Sequence, residues 1–147
     1  MLAVFESGDQ THPLNNGYPC TFKCGDKVFN SVEQYMMWKK ASIFHGNETI
    51  ASAIMMSDDY TTIKALGRKV QNFDPEVWSS MAESIVQCAC ILKIYQNKDV
   101  MAALISTNDE VIEQKNINDP TWSSPGKNLL GVILMRARQQ LWAASLI

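Results

Sequence analysis

Hydrophobic and polar positions along this chain follow a helical period for most of its length. From Pro75 to about Gln96, Val77, Met81, Ile85, Cys88, Leu92 and Tyr95 recur at three- or four-residue intervals, which predicts a long helix with one apolar stripe. Its start is marked by Phe73-Asp74-Pro75-Glu76: Asp caps, Pro fits the first turn, and Glu favours the positive helix end. Leu130, Ile133, Leu134, Ala137 and Leu141 repeat the pattern in a last helix opened by Lys127 or Asn128. Upstream, Ser31 with Gln34, or Asn30 with Glu33, offers a capping box for a helix reaching about Phe44, which His45-Gly46-Asn47 ends. Asn47 then caps a helix through Met56, and Asp58 or Asp59 caps another carrying Ile63, Leu66 and Val70 before a turn at Asn72. Asp99 caps a further helix through Ser106. Only from Tyr18 to Phe29 do apolar residues alternate, around the turn-rich Cys24-Gly25-Asp26-Lys27, which predicts a short N-terminal β-hairpin. The expected fold is mainly α, compact, and a single domain over residues 1–147.

Composition agrees with an ordinary globular domain, since 46% of the 147 residues are hydrophobic and 19% charged. With 13 Lys and Arg against 15 Asp and Glu, the chain lacks the basic surplus from which general duplex binding draws its affinity. The apolar runs, such as Val132 to Met135, fall far short of the roughly 20 residues that cross a bilayer. The N-terminal residues do not read as a secretory signal, so a cytoplasmic location is expected. Cys20, Cys24, Cys88 and Cys90 are expected to be free thiols, and their spacings do not make a zinc site.

Familiar catalytic signatures are missing: there is no G-x-S-x-G, H-E-x-x-H or G-x-G-x-x-G, and Gly126-Lys127 lacks the upstream Gly of a phosphate loop. With His12 and His45 the only histidines, a Ser-His-Asp arrangement would need one from an end or a turn. Polar residues instead gather at element junctions: Asn16 before the hairpin, Glu33 and Lys40 in one helix, Arg68 near a helix end, and Asp119, Trp122 and Asn128 around one loop. Glu33 and Lys40 are two helical turns apart, so they share a face at about 10 Å along the axis.

At these residues the chain resembles a known family. The blocks are Pro13-Leu14-Asn15-Asn16-Gly17-Tyr18-Pro19-Cys20, Phe29-Asn30-Ser31-Val32-Glu33-Gln34-Tyr35-Met36-Met37 with Lys40-Ala41, Gly67-Arg68, Phe73-Asp74-Pro75-Glu76-Val77-Trp78, Asp119-x-x-Trp122, and Gly126-Lys127-Asn128-Leu129-Leu130-Gly131 with Leu134-Met135-x-x-Arg138. In that order they are similar to the NADAR, or YbiA-like, family, which includes riboflavin-intermediate N-glycosidases. The resemblance implies a hydrolase of N-ribosyl bonds, and no metal or organic cofactor is implied. Family substrates are ribosylamino intermediates of the riboflavin pathway and guanine carrying ADP-ribose. ADP-ribosylated guanine, in nucleoside or nucleic acid, is the favoured substrate here, and a small ribosylamine the alternative.

On that reading Glu33 acts as general acid/base or positions water, unless it serves only as a capping partner of Asn30. Lys40 is a nucleophile or phosphate contact, or else a surface lysine beside Lys39. Asp119 steadies a ribose hydroxyl, or simply shapes a turn with Pro120. Trp122 stacks on a base or walls the pocket, while Arg68 and Asn128, with Asn16, bind phosphate and sugar oxygens. Asn15 and Gly17 stand where the family carries a serine and an aromatic residue, so a stacking surface is missing. Ser123 replaces a common Gly, and the short loop from Trp122 to Gly126 suggests an open mouth. Rival readings are an ADP-ribose-binding module without turnover, and a partner-binding helical protein using Met36, Met37, Met55 and Met56.

Overall fold

The computed structural model describes residues 3–144. Its elements run β1 (Ala3–Glu6), β2 (Phe22–Cys24), β3 (Lys27–Phe29), α1 (Val32–Ile43), α2 (Glu48–Met56), α3 (Tyr60–Gly67), α4 (Pro75–Gln96), α5 (Lys98–Ile105), β4 (Ile112–Lys115) and α6 (Leu129–Ala143). The architecture is mainly α, with β2 and β3 forming the expected antiparallel hairpin. An unexpected second pairing joins β1 to β4 in parallel. Four-residue strands separated by most of the chain leave no periodic trace of such a partnership.

Local chemistry sets the helix starts. Ser31 is the N-cap of α1, its Oγ accepting from the Gln34 N–H at 3.0 Å, while Gln34 Oε1 accepts from the Asn30 N–H at 2.8 Å. Ser31 and Gln34 therefore cap this helix, which frees Glu33 from the task. The Gln34 amide also donates to the Ile54 carbonyl at 3.0 Å, stapling α1 to the end of α2. Asp59 caps α3 through the Thr62 N–H, and Asp74 caps α4 through the N–H groups of Glu76 and Val77. Asn97, rather than Asp99, occupies the N-cap position of α5, without a side-chain cap bond, and Asp99 lies in the first turn, where its carboxylate accepts from the Tyr18 hydroxyl.

The buried face of α4 differs from the expected stripe. Val77 and Met81 are each 39% exposed and Tyr95 49%, while the buried positions are Ala82, Ile85, Val86, Ala89, Cys90, Lys93 and Ile94. Both faces carry apolar residues at helical spacing, and the small Ala82 and Ala89 lie on the side against which α1 and α6 pack. For α6 the expected face is the buried one, with Leu130, Ile133, Leu134, Ala137 and Leu141 all inside.

Three buried polar side chains tie loop segments to the helices. Lys93 Nζ donates to the Asn15 carbonyl at 2.8 Å, and Asn15 Oδ1 accepts from the Gly17 N–H at 2.7 Å, so the loop before the hairpin is pinned to α4. Asn47 donates to the Gln71 carbonyl at 2.9 Å and accepts from its N–H at 2.8 Å, latching the α1–α2 turn to the segment after α3. Gly67 completes the α1–α3 contact, since a Cβ there would collide with the Met37 sulfur.

Candidate active site

The loop holding Asn15 and Asn16, the first turns of α1 and α3, β4 and the turn after it converge on a cavity of about 230 Å³. Asn16, Glu33, Asp119 and Trp122, four of the residues singled out in the sequence, line it together. So do Ser7, Tyr60, Lys64, Gln114 and Asn116.

Glu33 is held by its backbone, whose N–H donates to the Asn16 carbonyl at 2.9 Å. Its side chain is only 8% exposed, and among the described residues no donor reaches its carboxylate. Burial raises its pKa above the ordinary carboxylate value, opposed first by Lys64 and then by Lys40. A carboxylate so placed can take or hold a proton at a pH where an exposed one is simply ionised.

Asp119 is rigid for a different reason. Its Oδ1 accepts from the Trp122 N–H at 3.0 Å and the Thr121 N–H at 3.2 Å, which also sets Trp122 at the cavity wall. The Ser123 hydroxyl donates to Asp119 Oδ2 at 3.4 Å and accepts from Gln114 Nε2 at 2.8 Å. The serine that departs from the family pattern thus braces the acidic residue. The short loop after it is tied back on β4 by the Ser124 N–H to the Gln114 carbonyl at 2.7 Å.

The other expected site residues lie elsewhere. Lys40 is half-buried with its Nζ 4.6 Å from the Phe73 ring centroid, and it does not line the cavity. Burial lowers its pKa, Glu33 raises it and Arg68, exposed at the C-cap of α3, lowers it again. Asn128 turns away altogether: its Nδ2 donates to the Ile112 carbonyl at 2.9 Å and its Oδ1 accepts from the Gln114 N–H at 3.2 Å. In this structure Asn128 is a bracket between α6 and β4, because both ends of its amide are taken by β4 backbone.

Several cavity residues were not among the candidates from the sequence, Tyr60 and Lys64 among them. These two sit one turn apart on α3 and share a face with the buried Ile63 and Gly67. A tyrosine and a lysine one turn apart at the edge of that buried stripe were the available signal. Among the described residues, no group of three or more His, Cys, Asp or Glu side chains is gathered closely enough to hold a metal ion.

Fold and site together define a small helical protein with a carboxylate-centred cleft, walled by aromatic and amide side chains. Residues 4–142 match the model of the NADAR domain, and the chain belongs to that family. It is 34% identical, over 88% of its length and 87% of the relative's, to a protein of Acanthamoeba polyphaga mimivirus named as an N-glycosidase. It is 23% identical, over 96% of its length and 88% of the relative's, to the N-glycosidase YbiA of Shigella boydii. The solved structure of Escherichia coli YbiA superposes with a TM-score of 0.81 at 23% identity, covering 99% of this chain and 89% of the other, which shows that the fold is shared.

Proposed function

We propose that the protein hydrolyses the bond between ribose C1′ and a nitrogen, with ADP-ribosylated guanine, free or in nucleic acid, as its substrate. The enzyme class, N-glycosidase, is supported by NADAR membership and by the named relatives. The observation that carries the reading is Glu33: a buried carboxylate, relieved of capping, facing a cavity that also holds Asn16, Asp119 and Trp122.

Cleavage of an N-ribosyl bond passes through an oxocarbenium-like state that a carboxylate stabilises while it takes a proton from the attacking water. The water oxygen bonds to C1′, the C1′–N bond breaks, and the proton passes to the departing nitrogen. Asp119, held by two backbone donors, presents its carboxylate to a ribose hydroxyl, and Trp122 forms a wall. Lys64 is the amine that lines the cavity, so a route through ring opening and an imine falls to it rather than to Lys40. Lys64 and Arg68 lie one turn apart at the C-terminal end of α3, and Lys40 is within electrostatic reach of Arg68, a basic edge suited to more than one phosphate. The modest volume beside Glu33, about 230 Å³, favours a small ribosylaminouracil phosphate as second reading.

Incubation with ADP-ribosylated guanosine, ADP-ribosylated DNA and a ribosylaminouracil phosphate, followed by mass spectrometry, tests this. Release of guanosine and ADP-ribose, absent with Glu33→Gln, is expected. Release from the uracil compound alone moves the assignment to the second reading, and release from none overturns it. Borohydride added during turnover should leave a stable mass increment on Lys64 if an imine forms, and none if water attacks directly.

A further inference from the structure

Gly17 and Tyr60 form a unit that the sequence does not announce. A Cβ on Gly17 would lie 2.5 Å from Tyr60 Cε2, so the ring rests on the bare backbone where the family pattern carries an aromatic side chain. Both partners are held in place, Gly17 by Asn15 Oδ1 at 2.7 Å and Tyr60 by the Asp59 cap that starts α3. Tyr60 lines the Glu33 cavity and also a second cavity of about 430 Å³. The ring is therefore a wall common to two lobes, one of which contains the carboxylate proposed to do the chemistry.

The two lobes differ in charge. Gln10, Asn30, Asp58 and Asp59 face the larger one. Asp59 commits one oxygen to Thr62, whose N–H and hydroxyl donate at 2.9 and 2.7 Å, and the Asn30 amide donates to the Ser57 carbonyl at 2.8 Å. The exposed Asp58 makes no such commitment. These acceptors suit the amino and ring N–H groups of a heterocycle and repel phosphate. The cation is on the other side: Lys64 lines the Glu33 lobe, with its Nζ 5.3 Å from the Tyr60 ring centroid.

We propose that Tyr60, seated on Gly17, is the stacking surface for the substrate's base, and that the larger lobe receives an amino-bearing nitrogen heterocycle while the ribose lies beside Glu33. The proposal rests on the N-ribosidase reading and adds the substrate's orientation to it. The aromatic surface absent from position 17 is supplied across the cleft from α3. Base–aromatic stacking of this kind is lost on truncation to alanine with roughly five- to hundred-fold weaker binding.

The test is a set of variants read in two ways: kcat and KM for release from ADP-ribosylated guanosine, and direct calorimetric binding of guanosine, which needs no turnover. Tyr60→Phe keeps the ring and should hold KM and guanosine affinity close to wild type. Tyr60→Ala should raise KM and weaken guanosine binding by roughly five- to hundred-fold while kcat changes little. Gly17→Tyr combined with Tyr60→Ala should recover most of that loss, which a merely structural defect would not permit. Unchanged guanosine affinity in Tyr60→Ala, or a fall in kcat alone, overturns the proposal. If the wild type cleaves no N-riboside, the functional reading fails, and the guanosine titrations still decide the stacking surface.

Discussion

Replacing Glu33 by Gln should make the protein more stable as well as inactive, with a gain that depends on pH. Glu33 is 8% exposed, and burial raises its folded-state pKa above the 4.5 of a free glutamate, with Lys64 and Lys40 offsetting part of the cost. Below pH 4.5 the carboxyl is protonated in both folded and unfolded chains and costs nothing. As pH rises through the folded-state pKa the unfolded chain gives up its proton more readily, so wild-type stability falls and then levels off. Each unit of pKa elevation is worth about 1.4 kcal/mol, or about 3–5 °C in melting temperature for a chain of this size. Gln has nearly the same shape and no charge, so the variant escapes the loss. Calorimetry of both proteins from pH 4 to pH 8 should give nearly coincident melting temperatures at the acid end and a higher one for Glu33→Gln at pH 7 and above. A gap that does not vary with pH, or a variant less stable at pH 8, would refute the view of Glu33 as a buried, unpaired carboxylate.

Other consequences follow from the same geometry. Gly67→Ala would drive a methyl into the Met37 sulfur and should cost about 1–3 kcal/mol, read as a drop of several degrees in melting temperature with kcat affected only secondarily. Asn128→Ala removes both bonds to β4 and should lower stability by about 1–3 kcal/mol while leaving KM near wild type, whereas a sugar-binding role predicts a raised KM. Asp119→Asn keeps an oxygen for the N–H groups of Thr121 and Trp122 and should lose activity through its missing charge; Asp119→Ala should also raise KM by freeing Trp122. Lys93→Met loses a charge-assisted bond to the Asn15 carbonyl, worth about 1.5–3 kcal/mol, and hydrogen exchange should show the 15–18 loop opening more often.

Local signals were legible where a few neighbouring residues decide the outcome. The start of α4 follows from Asp74-Pro75-Glu76, and the buried face of α6 from its repeat, because capping and amphipathicity act over one or two turns. The face of α4 was not legible: apolar residues at helical spacing lie on more than one side, and the side covered by neighbouring elements carries Ala82, Val86, Ala89 and Ile94 rather than Val77, Met81 and Tyr95. The β1–β4 pairing was hidden because both strands are short and distant in sequence. In the site, Asn16, Glu33, Asp119 and Trp122 were found from ordered motifs, and the structure gathers them. Lys40 and Asn128 carried equal motif support, yet one sits over Phe73 and the other is spent on β4. Motif membership does not distinguish a residue that lines a cleft from one that holds its walls. Tyr60 and Lys64 escaped notice because their role depends on how α3 packs against α1 and the Gly17 loop.

The central claim is that the Glu33 carboxylate performs the chemistry without being needed for binding. Single-turnover release of ADP-ribose from ADP-ribosylated guanosine, measured alongside Kd for wild type and Glu33→Gln, tests it most directly. The account predicts a rate lower by about 10²- to 10⁴-fold in the variant with Kd changed by no more than a few-fold. An equal rate in the two proteins, or a loss that appears wholly in Kd, would contradict it.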